Sequence, residues 1–156
     1  MREWESERAP SRTRRLDEIA EALPQRAAVL SRLFLTRTTL DVSRTEAGVM
    51  RAVAAAPRRI TELATAEGVT QPAVTRVVNR LEERGWVTRE SDPRDGRAVM
   101  VRLTPAGRTV FERLRDEYRA MVHEEMATLD DDDVETLAGA IDVLDELIDR
   151  LEDREL

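Results

Sequence analysis

A chain of 156 residues is long enough for one domain with a substantial core, or for two small lobes that share one. It contains no cysteine and one histidine, His123, which excludes disulfides, thiolate metal sites and cysteine redox sensing and leaves little for a zinc site or a catalytic triad. The net charge of −7 argues superficially against nucleic acid, and no apolar run reaches the roughly 18 residues that a membrane span needs.

The N-terminal segment is charged before it becomes helical. The stretch MREWESERAPSRTRR lacks the apolar segment of a signal peptide, so we expect a cytoplasmic protein without a membrane partner. Apolar residues then recur at steps of three and four from Leu16 to Phe34, which predicts a helix. Pro24 lies inside this run and should kink the helix or divide it, because proline removes a backbone hydrogen bond.

A second helix should begin at the sequence SRTE. Ser43 can accept a hydrogen bond from the backbone three residues later, and the carboxylate of Glu46 can reach back to the N–H of Ser43. Such a reciprocal pair is a capping box and marks a helix start. The helix should end near Ala56, because Pro57 follows.

Residues 60–87, ITELATAEGVTQPAVTRVVNRLEERGWV, have the pattern of two short helices joined by a turn. The first helix should end at Gly68, and the second should run from Thr70 or Gln71 to Gly85. The residues predicted to face inward are Leu63, Ala64, Val69, Val74, Val78 and Leu81. Two such helices with a glycine in the turn predict a helix-turn-helix.

The second of these helices should present a polar face to solvent. A helix of this kind enters the major groove of DNA, where arginine can donate two hydrogen bonds to guanine and asparagine can bind adenine. Hydroxyl and amide groups near the helix start can hold phosphates or contact a thymine methyl. We therefore predict DNA contacts from Thr70, Gln71, Thr75, Arg76, Asn79 and Arg80. Taken alone, the helix would be explained equally well by a solvated charged face.

A β-hairpin should follow at once. Residues 87–90 and 99–103 alternate between apolar and polar on either side of the turn SDPRDGRA, which predicts two antiparallel strands. An arginine at the tip has no folding role, whereas a narrow minor groove attracts a long planar cation. We predict that Arg94 probes this groove and that Asp92 or Asp95 orients it. The predicted wing contacts are Asp92, Arg94 and Arg97. The alternative is a soluble turn whose charges cancel.

Two more helices should complete the chain. Thr104 caps a helix that begins at Pro105 and runs to about Met126. Asp130–Asp133 suit the start of the last helix, where negative charge meets the positive end of the helix dipole. An apolar seam with heptad spacing follows, formed by Val134, Leu137, Ile141, Leu144, Ile148 and Leu151. Such a seam needs a partner surface, either residues 16–34 of the same chain or a second copy.

The charge is unevenly distributed along the chain. Residues 121–156 hold 14 acidic residues and two arginines, net −12, whereas residues 1–120 are net +5. A mildly basic body can therefore meet phosphate although the whole chain is acidic. No enzyme is expected, because the only acidic cluster, Asp130–Asp133, is explained as a helix cap. A winged-helix module that binds protein instead of DNA is the alternative, but it gives no reason for Arg94 at the turn.

Four motifs occur in an order and spacing that match a known family. They are ELA in the first short helix, VTRVVNRLEERGWV before the hairpin, DPRDGRA at its tip and LTPAG at the start of the next helix. Together they resemble the MarR (multiple antibiotic resistance regulator) family, over about residues 40–110 by motif and over the whole chain by helix order. The resemblance implies a mostly α-helical fold with a small β-hairpin wing.

The resemblance also implies a division of the chain and a mode of action. Residues 1–40 and 105–156 would supply the dimerisation helices, and residues 41–104 the winged helix-turn-helix lobe. The implied function is a sequence-specific transcriptional regulator, a repressor, that binds a pseudo-palindromic operator in double-stranded DNA as a homodimer. Members of the family often release DNA when a small aromatic or anionic effector binds between the lobes. No cofactor is implied, and with no cysteine this chain departs from the oxidant-sensing branch of the family.

Residues that could contact an effector are only weakly marked in the sequence. Arg51, Tyr118 and His123 lie on helices that could line the junction of the lobes, although each is more often a surface or core residue in such a position. Trp86, at the junction of helix and wing, should belong to the core, and Trp4 to an N-terminal tail. The ligand-binding residues are therefore left undefined.

Overall fold

The computed structural model describes residues 11–91 and 99–153, which form a mostly helical chain with one small sheet. The helices in these residues are α1 (Arg12–Arg37), α2 (Arg44–Ala55), α3 (Ile60–Ala66), α4 (Gln71–Glu83), α5 (Pro105–Met126) and α6 (Asp131–Glu152). The strands are β1 (Arg58–Arg59), β2 (Val87–Ser91) and β3 (Val99–Leu103). The predicted fold class, mostly α with a β-hairpin wing, is confirmed.

Helix α1 is a single element. Its N-cap is Ser11, whose side chain accepts a hydrogen bond from the N–H of Arg14 at 3.4 Å. The sequence allowed a division at Pro24, and that alternative is wrong, because Pro24 lies within one continuous helix. Proline removes one backbone hydrogen bond, and several turns of helix on each side maintain the rest.

The capping box at the start of α2 is confirmed. The N–H of Ser43 donates to Oε2 of Glu46 at 2.8 Å, and the N–H of Glu46 donates to the hydroxyl of Ser43 at 3.3 Å. The helix ends at Ala55, one residue before the predicted end. These bonds fix the direction in which α2 leaves the segment that follows α1.

Two glycines end the helices of the helix-turn-helix, as predicted. Gly68 has φ +62° in the turn between α3 and α4, and Gly85 has φ +70° directly after α4. This left-handed conformation suits glycine because it has no Cβ. The N–H of Trp86 then donates to the carbonyl of Leu81 at 2.8 Å, which closes α4 and turns the chain into β2.

The sheet has the order β1-β3-β2, and both pairs are antiparallel. The hairpin register sets Val87 opposite Leu103 and Ser91 opposite Val99, which confirms the two predicted strands. Strand β1 was not predicted. It pairs along the other edge of β3, with Arg58 opposite Val101, so the wing is anchored to the chain that joins α2 to α3.

The core lies between the helix-turn-helix and the sheet. Five of the six residues predicted to face inward are buried, and the sixth, Val69, is partly buried and packs against them. The buried core consists of Val49, Met50, Val53, Leu63, Ala64, Val74, Val77, Val78, Leu81, Val87, Val101 and Leu103. Thr104 joins the sheet to α5, because its hydroxyl donates to the carbonyl of Gly85 at 2.6 Å and accepts from the N–H of Gly107 at 3.0 Å.

The chain divides into two compact units, Met1–Leu114 and Arg115–Leu156. In the first unit no residue of α1 is buried, and Ile19 and Leu30 are about half exposed. In the second unit no described side chain of α6 is buried, and Ile141 is 56% exposed. Each unit by itself therefore leaves an apolar helix face open to solvent. Over residues 11–91 and 99–153, no helix is both long and apolar enough to cross a membrane.

Candidate nucleic-acid interface

Helix α4 has one buried face and one exposed polar face. Val74, Val77, Val78 and Leu81 are buried in the core. The side chains predicted to face outward, Thr75, Arg76, Asn79 and Arg80, are all exposed. Spacing of three and four residues on both faces is what a helix packed on one side requires, so the core itself fixes which side chains meet solvent.

Four of the predicted DNA-binding residues meet around the start of α4. Thr70 is the N-cap, but its side chain makes no capping hydrogen bond. Gln71, Pro72, Thr75 and Arg76 line an open depression of about 580 Å³, and a second one of about 500 Å³ is lined by Thr61, Ala64, Thr65, Gly68, Val69, Thr70 and Gln71. Hydroxyl, amide and guanidinium groups therefore surround the positive end of the helix dipole.

Arg80 is held by a carboxylate from another helix. Its Nε donates to Oε1 of Glu46 at 3.1 Å, and the arginine side chain is 52% exposed. Glu46 is only 3% exposed. The sequence predicted its role in the capping box but not its burial. Burial alone would raise the pKa of Glu46, but the hydrogen bonds from Ser43 and Arg80 outweigh it and hold the pKa below the ordinary value.

Asn79 is held by a residue of the wing. Nη2 of Arg89 on β2 donates to Oδ1 of Asn79 at 2.6 Å, and Nη1 of the same guanidinium donates to the carboxylate of Glu82. Arg89 was predicted only as one residue of an alternating strand. One arginine therefore ties the first strand of the wing to two successive turns of α4.

A further arginine, Arg84, was not singled out in the sequence. It donates to the carbonyl of Asp41 at 2.7 Å and to Oδ2 of the same residue at 3.1 Å. Its guanidinium also lies 4.9 Å from the ring centre of Trp86, a cation–π contact. Together with the contact between Arg80 and Glu46, this attaches the C-terminal half of α4 to the start of α2.

The predicted wing contacts, Asp92, Arg94 and Arg97, lie outside the described residues. The strands that lead to and from them are β2 and β3, which end at Ser91 and begin at Val99. Their roles stay predictions.

The candidate effector residues are not brought together into a described site. Trp86 is partly buried and packs against the core, as predicted. Arg51 and His123 are exposed, while Tyr118 is partly buried, and burial raises the pKa of its phenol. Trp4 lies outside the described residues. Within 11–91 and 99–153, no group of three or more histidines or carboxylates could hold a metal ion.

Comparison with known proteins shows what this chain resembles. The family model of the MarR family matches residues 40–98, which include the capping box, α3, α4, the first strands of the sheet and the wing turn. The wild-type MarR protein of Escherichia coli is 28% identical, and the match covers 89% of this chain and 98% of that one with a TM-score of 0.68. Residues 40–98 are therefore similar in sequence to the MarR family, and the fold is that of MarR over most of the chain. The relatives are named transcriptional regulators, which agrees with the prediction that the chain is not an enzyme.

Other proteins are similar to this chain. An HTH-type transcriptional regulator of Mycobacterium leprae is 37% identical over 87 residues, and the match spans 56% of this chain and 61% of that one. The transcriptional regulator BldR of Sulfolobus solfataricus is 29% identical, with a TM-score of 0.64 over 84% of this chain and 97% of that one. A MarR family protein of Bacillus stearothermophilus, 18% identical with a TM-score of 0.70, shares the fold over 89% of this chain and 99% of its own.

Proposed function

We propose that this chain is a DNA-binding transcriptional repressor that acts as a homodimer on a pseudo-palindromic operator and releases it when a small effector binds. The observation that carries the proposal is the exposed polar face of α4, which belongs to a helix-turn-helix followed directly by a two-stranded wing. The match of residues 40–98 to the MarR family model supports it. So does a structural relative, 28% identical, that is named multiple antibiotic resistance repressor.

In this proposal the two parts of the lobe contact different features of the duplex. Helix α4 enters the major groove, with Thr70, Gln71, Thr75, Arg76, Asn79 and Arg80 facing the bases and the backbone. The wing turn, with Asp92, Arg94 and Arg97, follows the backbone into the minor groove. The excess of arginine over acidic residues in residues 1–120, net +5, favours the approach of this part of the chain to phosphate.

The homodimer is supported by apolar surface that neither unit covers by itself. Apolar residues of α1 and of α6 are exposed within their own units. Contiguous apolar surface of this kind marks a protein interface. We assign residues 1–40 and 105–156 to the dimerisation lobe and residues 41–104 to the DNA-binding lobe.

Selection from a pool of random DNA duplexes tests the function directly. The wild-type protein should enrich a pseudo-palindrome whose half-sites lie about one helical turn apart. Its affinity should fall steeply with salt, because each phosphate contact releases counterions. A winged-helix module that binds only protein would enrich no sequence and would show no salt-dependent retention on duplex DNA, which would contradict the proposal.

The variant Arg94→Ala tests the role of the wing. It should bind the selected site more weakly than the wild type at ordinary salt, and the loss should be greatest where A·T-rich flanks narrow the minor groove. The control is Arg119→Ala, which removes an exposed arginine paired with Asp116 on α5. Equal affinities of Arg94→Ala and wild type would show that the wing does not probe the groove.

A further inference from the structure

The four side chains on the outward face of α4 are not equally available to a ligand. Arg80 is engaged by Glu46, and Asn79 by Arg89. The hydroxyl of Thr75 donates to the carbonyl of Gln71 at 2.8 Å, within the helix itself. Within the part of the chain that the structure describes, Arg76 forms neither a hydrogen bond nor an ion pair.

We propose that Arg76 is the arginine of α4 that determines base specificity, and that Glu46 makes Arg80 a positioning residue that sets the orientation of α4. The inference rests on the proposed function, since it divides one DNA-binding face into residues that bind bases and residues that hold the helix. It follows from the intramolecular partners of the two arginines.

Both oxygens of the buried Glu46 carboxylate accept hydrogen bonds. Oε2 accepts from the N–H of Ser43 at 2.8 Å, and Oε1 accepts from Arg80 at 3.1 Å. If Arg80 turned toward a base, it would leave a carboxylate that is 3% exposed without its counter-charge. Breaking a buried pair by withdrawing one partner is costly, so Arg80 stays against α2.

The geometry of Arg80 also limits what it can bind. Its Nε is committed to Glu46, which restricts the orientation of the guanidinium. The remaining N–H groups can still reach a phosphate, and a phosphate contact positions a protein on DNA without carrying sequence information. Arg80 therefore supports affinity for any duplex while leaving the choice of base to other residues.

Arg76 has the opposite properties. It lies one turn before Arg80 on the same face, in the N-terminal half of α4, which is the part of a recognition helix that contacts base edges. It is exposed and borders the open depression formed with Gln71 and Thr75. Because it has no described intramolecular partner, binding guanine breaks no existing contact.

Asn79 is restricted in a similar way. Recognition of adenine needs both the oxygen and the amide nitrogen of asparagine. A guanidinium can only donate, so the oxygen of Asn79 must face Arg89, and that contact uses one of the two lone pairs of the oxygen and restricts the rotation of the amide. Asn79 is then a link between α4 and the wing, which reinforces the assignment of base specificity to Arg76.

The experiment compares base preferences, obtained from the random duplex pool, for the wild type and three full-length variants. Arg76→Ala should lose the preference at one position of each half-site, with about a five- to 150-fold loss of affinity for the preferred base. Arg80→Ala and Glu46→Gln should lower the affinity for all sequences by one factor and leave every base preference as in the wild type. The glutamine of Glu46→Gln can still cap α2, because glutamine serves in a capping box, so this variant removes the charge and keeps the helix start.

The double variant Glu46→Gln/Arg80→Ala separates positioning from base contact. If Arg80 acts through Glu46, the double variant should bind the selected site no more weakly than the weaker single variant, because the two losses are one interaction. Thermal unfolding of each variant shows whether it is folded at the assay temperature. Arg80→Lys is the second test if Arg80→Ala does not fold, and it too should leave the base preferences unchanged.

The possible outcomes are distinguishable. If the wild type enriches a palindrome and Arg80→Ala loses the preference at one position, the inference is wrong and the proposed function stands. Independent, multiplicative losses from Glu46→Gln and Arg80→Ala would overturn it in the same way. If the wild type enriches no sequence at all, the proposed function fails and the inference fails with it.

Discussion

The carboxylate of Glu67 is enclosed at the turn between α3 and α4. Its side chain is 11% exposed, with Nη2 of Arg51 3.9 Å from Oε1. A Cβ at Gly48 would overlap the carboxylate, so α2 and the turn approach each other closely at this point. Burial raises the pKa of Glu67 above its ordinary value of 4.5, and the charges of Arg51 and Arg44 offset only part of this effect.

We predict that Glu67→Gln stabilises the protein at neutral pH. Because the pKa of Glu67 is higher in the folded than in the unfolded state, the folded protein retains a proton that the unfolded chain has released between the two values. The free energy of unfolding therefore falls as pH rises through this window, and the loss persists above it. Glu67→Gln should remove the decline, as measured by urea unfolding from about pH 4 to about pH 8.

The control for this measurement is Glu83→Gln, which alters an exposed carboxylate on α4. It should leave the pH profile of the wild type in place. Denaturation midpoints that coincide for the wild type and Glu67→Gln at every pH would contradict the account.

At the level of single residues, the sequence predicted orientation better than partnership. The helical spacing of the apolar residues alone showed that Arg76 and Arg80 face outward, because the same spacing turns Val74 and Val78 toward the core. It could not show that Arg80 pairs with Glu46, which lies 34 residues away on another helix. Such contacts depend on how helices pack, and packing leaves no local pattern.

The end of α4 depends on the left-handed conformation of Gly85. Its φ of +70° is unfavourable for any residue with a Cβ, although an added Cβ would meet no atom within 4 Å. We predict that Gly85→Ala lowers the free energy of unfolding by about 1–2 kcal/mol, the cost of the backbone conformation alone. Urea denaturation measures the loss, and Gly85→Asn should lose less because asparagine visits this region more readily.

A Gly85→Ala variant as stable as the wild type would mean that α4 can end in another way. The stability should be sensitive to this turn because of the contacts of the next residue, Trp86. Its N–H donates a hydrogen bond to the carbonyl of Leu81, and its side chain packs against the core.

At the level of elements, capping and turn residues made most boundaries predictable. Ser43, Thr104 and Asp130 mark helix starts in the sequence and in the structure. Strand β1 could not be predicted from the sequence. Its two residues, Arg58–Arg59, are too few to show an alternating pattern, and the strand is defined only by its pairing with β3. The continuity of α1 through Pro24 could not be predicted either. Whether a helix tolerates the loss of one backbone hydrogen bond depends on the stability of the whole helix and not on the residues next to the proline.

The apolar seam of α6 makes a prediction about the whole molecule. Leu144→Asp would place a charge in the middle of the seam, and a charge without a partner in an apolar interface costs several kcal/mol. If α6 closes the proposed homodimer, the variant should dissociate or unfold, whereas the wild type should have the mass of a dimer. Light scattering at micromolar concentration measures both.

The matched control is Thr136→Asp, which adds the same charge to an exposed residue of α6 outside the seam. This variant should remain a dimer. A wild-type protein that is monomeric under these conditions would contradict the dimer.

At the level of the whole chain, the sequence predicted the order of elements and the similarity to the MarR family, but it could not decide what covers the apolar faces. The seam of α6 and the apolar positions of residues 16–34 suit a partner in the same chain or in a second copy. Both arrangements bury the same side chains, so no pattern of residues distinguishes them.

Control of the proposed repressor by a small molecule is the last prediction. Thiol oxidation cannot act on a chain without cysteine, so a reversible ligand is the mechanism that we propose. All 25 basic residues of the chain are arginine, whose planar guanidinium binds a carboxylate through two parallel hydrogen bonds, and an anionic aromatic compound is therefore a suitable ligand class. Such a ligand can release DNA only if it binds the DNA-free conformation more tightly.

We predict that a salicylate-like aromatic acid at millimolar concentration weakens operator binding, whereas its uncharged amide and mild peroxide do not. A tenfold loss of affinity requires about 1.4 kcal/mol of coupling between the two ligands, and by linkage the operator must weaken binding of the acid by the same factor. Titration of the operator with and without acid measures one side of this coupling, and calorimetry of the acid with and without operator measures the other.

The five methionines react more slowly than a thiol would, so a mild dose of peroxide should leave binding intact. Prompt release by mild peroxide without any response to aromatic acids would contradict ligand control, and unequal coupling on the two sides would show that the acid acts other than through a shared equilibrium.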